Sequence, residues 1–397
     1  MKKSIAKYLK VALIIFIIIA TIGIGEVLVR LYSRANPAIA KTAAIDAFSH
    51  PLHPYFGHND RSPYMPERIT KRNAGEYTIL VLGGSTALDI PSPLEKCLNK
   101  INPFPDITRF VVYNGAHHGY QSTQDKNVLV HYLSNGSEID MVVCVEGFNN
   151  LIRPLENNAY QLPVNYSGWY WIVGNRMEYG SPIKYYLAKF LSEVSNKTLV
   201  RKSMICRIAL NGVVTLLMRS YHLQGLSAVE KKISSIPDEE KIEILRNGTG
   251  FYRNDVLFMD DIARLKSVRP IFVLHPIMGF ERENMTPYED EFLKERSMYD
   301  FQVAPLSVWI EGYRVLQATG RELQEAGVYY LDYTAIFRDT EGNPYRDLMH
   351  MNELGWNIMA EKLADYIIGG LRSERPSGSN INGFDIKIDN PHKSPQN

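Results

Sequence analysis

The chain has 397 residues, of which 45% are hydrophobic and 22% charged, and its formal net charge is +1. That composition suits one large globular domain or two. With near-zero charge and no basic patch bearing interleaved aromatics, electrostatically driven nucleic-acid binding is excluded. Three cysteines, Cys97, Cys144 and Cys206, make no disulfide framework and match no zinc spacing. No helical His-x-x-x-His or carboxylate cluster calls for a metal, and no cofactor is expected.

Lys2, Lys3, Lys7 and Lys10 precede an apolar run from Val11 to Gly25, which Val27, Leu28 and Val29 resume after Glu26. About 18 apolar residues suffice to cross a bilayer as a helix, so residues 11–29 are expected to form a transmembrane helix. The cationic start makes residues 1–10 a cytoplasmic stub and places everything after Arg30 outside the cytoplasm. The rival is a cleaved signal peptide. No small-x-small cleavage site follows the run, which favours an uncleaved signal anchor. Residues 35–75, with several prolines, read as an extended lead-in to the domain.

Thr78 to Leu82 read as a strand buried on both faces, ending in Gly83-Gly84-Ser85. Two glycines let the backbone turn sharply and approach its surroundings closely. In open α/β sheets, ligands bind at the carboxyl ends of the strands. Ser85 is therefore a candidate nucleophile on a strand-to-helix turn. Further strands are predicted at Arg109–Tyr113, Ile139–Val145, Pro270–Leu274 and Val328–Leu331. Three strand ends carry polar or glycine-rich loops, those of Ser85, of Asn114 to Gly119 and of Asn149, and the strand at Pro270–Leu274 ends in His275-Pro276. Helical patterns at Thr123–Leu133 and Val308–Glu325 alternate with the strands, which implies a parallel sheet covered on both faces.

The interval from Leu151 to Asp261 is too long for a βα loop and opens with many aromatics, Tyr160 to Tyr186 among them. It predicts an inserted subdomain over the carboxyl edge of the sheet, as lid, substrate-binding surface or structural padding. The tail 372–397, rich in Ser, Gly, Asn and Pro, reads as disordered. Glu146 and Asp89 read as polar edge residues.

Near the C-terminus, Asp347 and His350 lie three positions apart, just before an amphipathic helix from Glu353 to Ile368. On a turn, that spacing sets a carboxylate against one imidazole nitrogen and leaves the other facing outward, as a Ser-His-Asp relay requires. The backbone N–H groups of Ser85 and Gly119 and the amide of Asn149 stand at strand ends, where they offer donors to an oxyanion.

Together these segments resemble the sequence blocks of the SGNH (GDSL-like) hydrolase superfamily. Gly83-Gly84-Ser85 stands where the first block usually has Gly-Asp-Ser, like a Gly-Gly-Ser-Thr variant among membrane-anchored bacterial members. Asn114 to Gly119 matches the second block, and Gly147-Phe148-Asn149 the third, with Asn150 where Asp is usual. Asp347 to His350 matches the last. The resemblance covers roughly residues 75–150 and 265–370 and leaves the insertion out. It implies a three-layer α/β/α sandwich on a five-stranded parallel sheet, with a hydrolase domain over 76–371 and the insertion at 151–261. It also implies Ser85 as nucleophile, His350 as base, Asp347 as its partner, and Ser85, Gly119 and Asn149 as the oxyanion hole. Gly84, Asn114, His118, Asn150 and His275 are candidate pocket-lining residues.

The expectation is an extracytoplasmic, membrane-anchored serine esterase acting on an acyl or O-acetyl ester, with an acylated glycan or lipid as candidate substrate. Transfer of the acyl group to an envelope polysaccharide is the second reading. A non-catalytic binding or assembly protein on the same scaffold is the third.

Overall fold

The computed structural model describes residues 71–159, 231–282, 285–295 and 303–373, with a few isolated positions outside these ranges. The expected stub and transmembrane helix at 1–29, most of the lead-in, the aromatic stretch Tyr160 to Tyr186 and the tail from 374 lie outside the described residues. Among the described residues no helix is long and apolar enough to cross a membrane.

Five strands form one parallel sheet: β1 (Glu76–Gly83), β2 (Arg109–Asn114), β3 (Met141–Glu146), β4 (Arg269–Leu274) and β5 (Tyr330–Asp332). Their spatial order is β2-β1-β3-β4-β5, an order of the flavodoxin-like kind. In β1 the residues Ile79, Leu80, Val81 and Leu82 are fully buried, as is every residue of β3. Such continuous apolar runs are what a sheet covered on both faces requires. β1 pairs with β2 from Glu76–Arg109 to Val81–Asn114, and with β3 from Ile79–Met141 to Gly83–Val145.

Among the described residues, the helices that connect and cover the sheet include α1 (Pro91–Ile101), α2 (Ser122–Ser134), α3 (Asn149–Ala159), α4 (Asp238–Leu265), α5 (Pro287–Glu295), α6 (Leu306–Glu325) and α7 (Glu353–Ser373). α1 starts on Pro91, whose fixed φ and missing N–H suit a first turn. A reciprocal Gln121–Gln124 capping box opens α2. α4 packs on α2, α3, α6 and β4, whereas α7 packs on α1. The sheet thus lies between two helical layers, a three-layer α/β/α sandwich.

The described parts of the expected insertion belong to this sandwich. α3 and the 28-residue α4 complete the β3-to-β4 crossover, with Leu245, Tyr252, Val256, Met259 and Ala263 buried in the common core. α7 runs to Ser373, so residues 372 and 373 belong to a helix rather than to the tail. Glu146, read as an edge residue, is buried at the end of β3.

Leu82 is buried immediately before the Gly83-Gly84 turn. Leu82→Ala should cost about 2–5 kcal/mol, the range for a core leucine whose cavity only partly collapses, read as the loss of unfolding free energy in urea.

Candidate active site

β1 and β3 are neighbours in space, yet the chain leaves β1 for the α1 face and β3 for the α4 face. At such a switch point the strand ends diverge and leave a crevice. Ser85 follows β1 and Asn149 follows β3, so both stand at it.

The serine turn is shaped by what it lacks. Gly83 has φ +141°, and a Cβ there would lie 2.3 Å from Val145 O. A Cβ on Gly84 would lie 2.2 Å from Asn149 Nδ2 and 3.1 Å from Tyr120 O. No side chain fits at either position. Asn149 Nδ2 donates one hydrogen to Tyr120 O at 2.7 Å, and an amide nitrogen carries a second. Gly119 adopts φ +72°, and its carbonyl accepts from Arg153 Nε at 3.3 Å. Gly84, the Tyr120 carbonyl and the Asn149 amide therefore meet at one point. Asn149 is also the first residue of α3, whose N-terminal end carries positive potential toward this point.

On the other side of Ser85 stands the loop before α7. Tyr345 and Met351 form an antiparallel bridge. Asn352 Nδ2 donates to Asn343 O at 2.7 Å, and Asn352 N donates to Pro344 O at 2.9 Å. Inside the closed loop, His350 Nδ1 lies 2.8 Å and 2.9 Å from the Asp347 oxygens. Its Nε2 lies 2.7 Å from Ser85 Oγ. A nitrogen facing two carboxylate oxygens carries the proton, so Nε2 is the acceptor for the serine hydroxyl. Asp347 Oδ1 also accepts from the His350 N–H at 2.8 Å and the Met349 N–H at 3.2 Å. Burial pushes the Asp347 carboxyl up, but the His350 ring and these two N–H groups outweigh it and hold it below the ordinary value.

Of the candidate pocket-lining residues, Gly84 stands at the meeting point itself, against Asn149. Asn114 donates to Leu88 O at 2.8 Å and accepts from the Ala116 N–H at 3.0 Å, fixing its own loop. Asn150 is buried; it accepts from the Ser122 N–H at 3.0 Å and donates to Glu146. His275 is buried too, donating from Nδ1 to Pro276 O at 2.9 Å and accepting the Phe148 N–H on Nε2 at 3.2 Å. Desolvation lowers its pKa to about 4, so the ring is neutral. His118 is exposed at the loop surface, and Gly84 is buried against Asn149. Asn114, Asn150 and His275 therefore hold the loops around the site.

The sequence does not single out Arg153 or Asp125, and it presents Glu146 only as a polar edge residue. Arg153 lies one turn after Asn149 on α3, a spacing that could have flagged it. A further serine–carboxylate contact lies behind the site. Ser122 Oγ donates to Asp255 Oδ2 at 3.0 Å, beside Thr123 Oγ1 at 2.7 Å and the Lys126 ammonium. With three donors, Asp255 ties α2 to α4, and among the described residues Ser122 Oγ meets no imidazole.

No family model and no curated protein matches the chain. Among solved structures, it is similar to a GDSL-like lipase from Bacteroides thetaiotaomicron, with 10% identity over 74% of this chain and 88% of that one, and a TM-score of 0.31. A lipase/acylhydrolase from Enterococcus faecalis shares 10% identity over 74% of this chain and 96% of that one, with a TM-score of 0.37. Likeness at this level carries no chemistry across, so the reading of the site rests on its own geometry.

Gly84→Ala should push the Asn149 amide aside and slow phosphonylation of Ser85 by an organophosphonate about tenfold or more, with the fold retained by circular dichroism. A second outcome follows from Asp347. Its carboxyl is held below the ordinary value near about 4, so it contributes stability above that pH and loses it as pH falls through the folded value. The unfolding midpoint of Asp347→Asn should therefore drop less than that of the wild type between about pH 5 and about pH 2.

Proposed function

We propose that the protein is a serine esterase of the SGNH (GDSL-like) kind, cleaving an acyl ester through a covalent acyl-enzyme. The observation that carries this reading is the continuous run of hydrogen bonds from Ser85 Oγ through His350 to Asp347. His350 Nε2 takes the Ser85 proton as Oγ attacks the ester carbonyl. Asp347 keeps the ring in the tautomer that can accept that proton and stabilises the imidazolium that forms. The tetrahedral oxyanion rests on the Ser85 and Gly119 N–H groups and the second Asn149 amide hydrogen. On collapse, the imidazolium returns its proton to the leaving alcohol and an acyl-Ser85 ester remains. Water then repeats the sequence, with His350 again as base, and releases the acid.

An acetyl or other short acyl group on a glycan or lipid is the substrate class we favour, reached outside the cytoplasm by a domain tethered through residues 11–29. Support for that placement comes from the cationic start and the apolar run that follows it.

Ser85→Ala should lower hydrolysis of a small acyl ester by at least about 10⁴-fold, and Asn149→Ala by about 10² to 10³-fold. Activity at the wild-type rate in Ser85→Ala would remove the serine from the reaction. Including a glycan acceptor in the same assay separates hydrolysis from transfer, since an acyl-glycan exceeding free acid would reassign the second half-reaction.

A further inference from the structure

Behind the serine turn lie two carboxyls that the reaction does not use. Asp125 on α2 is fully buried and Glu146 at the end of β3 is 2% exposed. Asp125 Oδ1 accepts the Gly83 N–H at 3.1 Å. Glu146 Oε2 accepts from the Asn150 amide, and Asn150 Oδ1 in turn accepts the Ser122 N–H at 3.0 Å. One carboxyl thus holds the residue two before Ser85, and the other holds the residue after Asn149. The two carboxyls are neighbours that act on each other, and Asp125 Oδ2 and Glu146 Oε1 are both buried. If both were ionised, neither of those oxygens would have a donor. A single proton between them provides it.

We propose that Glu146 and Asp125 share one proton across a buried carboxyl–carboxylate hydrogen bond, and that this pair positions the serine turn against the asparagine helix. The positioning role rests on the esterase reading of the same site; the shared proton does not. Burial pushes the Asp125 carboxyl up to about 6, against the pull of Glu146 and the Gly83 N–H. Burial, followed by the Asp125 charge, pushes Glu146 well above the ordinary carboxylate range. Other titratable groups face the pair from the packed elements: Asp255 and Tyr252 on α4, Cys144 on β3 and Tyr330 on β5, with Lys126 on α2 paired to Asp255. None of them is a cation in contact with the pair that would let both carboxyls ionise.

Glu146 is raised in the folded state. Its contribution to stability is therefore whole below the unfolded value near about 4 and is lost as pH rises through the folded value. Glu146→Gln keeps both contacts, since its amide donates to Asp125 and its carbonyl accepts from Asn150, but it cannot titrate. The unfolding midpoint of the wild type should fall more steeply than that of Glu146→Gln between about pH 5 and about pH 9; equal slopes overturn the shared proton. Kinetics on a small acyl ester test the positioning role. Glu146→Ala should lose about tenfold to a hundredfold in kcat at little-changed KM, while Glu146→Gln stays within about threefold of wild type. Wild-type kcat in folded Glu146→Ala overturns that role. If Glu146→Ala does not fold, Asn150→Ala cuts the link on the helix side and is judged by the same two kinetic outcomes. A wild type that hydrolyses nothing counts against the esterase reading and the positioning role built on it, while the pH slopes still decide the shared proton.

Discussion

Asn149 Nδ2 lies 2.2 Å from where a Cβ on Gly84 would stand, and it donates to Tyr120 O at 2.7 Å. That close approach joins the ends of three strands, since Gly84 follows β1, Tyr120 follows β2 and Asn149 follows β3. It depends on a backbone with no side chain, which is why a glycine precedes the serine in this chain. The remaining parts of the site are built around that contact. Gly83 is pinned from behind by Asp125, and the Gly119 carbonyl is held by Arg153.

The imidazole arrives from the other end of the sequence, and its position is fixed locally. The turn from Asn343 to Asn352 is closed by its own backbone and by Asn352, independently of the serine. Ser85 and His350 are 265 positions apart, so the 2.7 Å contact between them reports how accurately the sheet sets β1 against the loop leading into α7. Packing of α7 on α1, the helix that follows the serine turn, supplies that register.

Much of this was legible in the residues because the signals were backbone signals. Apolar runs ending in glycines mark β1 and β3, and the Asp-x-x-His turn before an amphipathic helix marks the pairing of His350 with Asp347. The structure brings Ser85, His350 and Asp347 within hydrogen-bond reach and sets Gly84 against Asn149. Burial of polar groups was what the sequence could not reveal. Glu146 looked like an edge residue because a carboxyl at a strand end is usually solvated, and its buried partner Asp125 lies on a different element. Placement at strand ends marks Asn114, Asn150 and His275 as candidates for the pocket, and the structure shows in addition that their polar atoms hold loops. The interval 151–261 was read as one insertion because of its length. Its two described ends, α3 and the last part of the interval in α4, are the helices that a parallel crossover needs.

In the proposed reaction the serine activated for attack is Ser85, and not the Ser122 that donates to Asp255. The most direct measurement is mass-spectrometric mapping of the peptide modified when the full-length protein reacts with a fluorophosphonate. A single adduct on Ser85, absent from heat-denatured protein, is the expected result. An adduct on Ser122, or none on the folded protein, would contradict it.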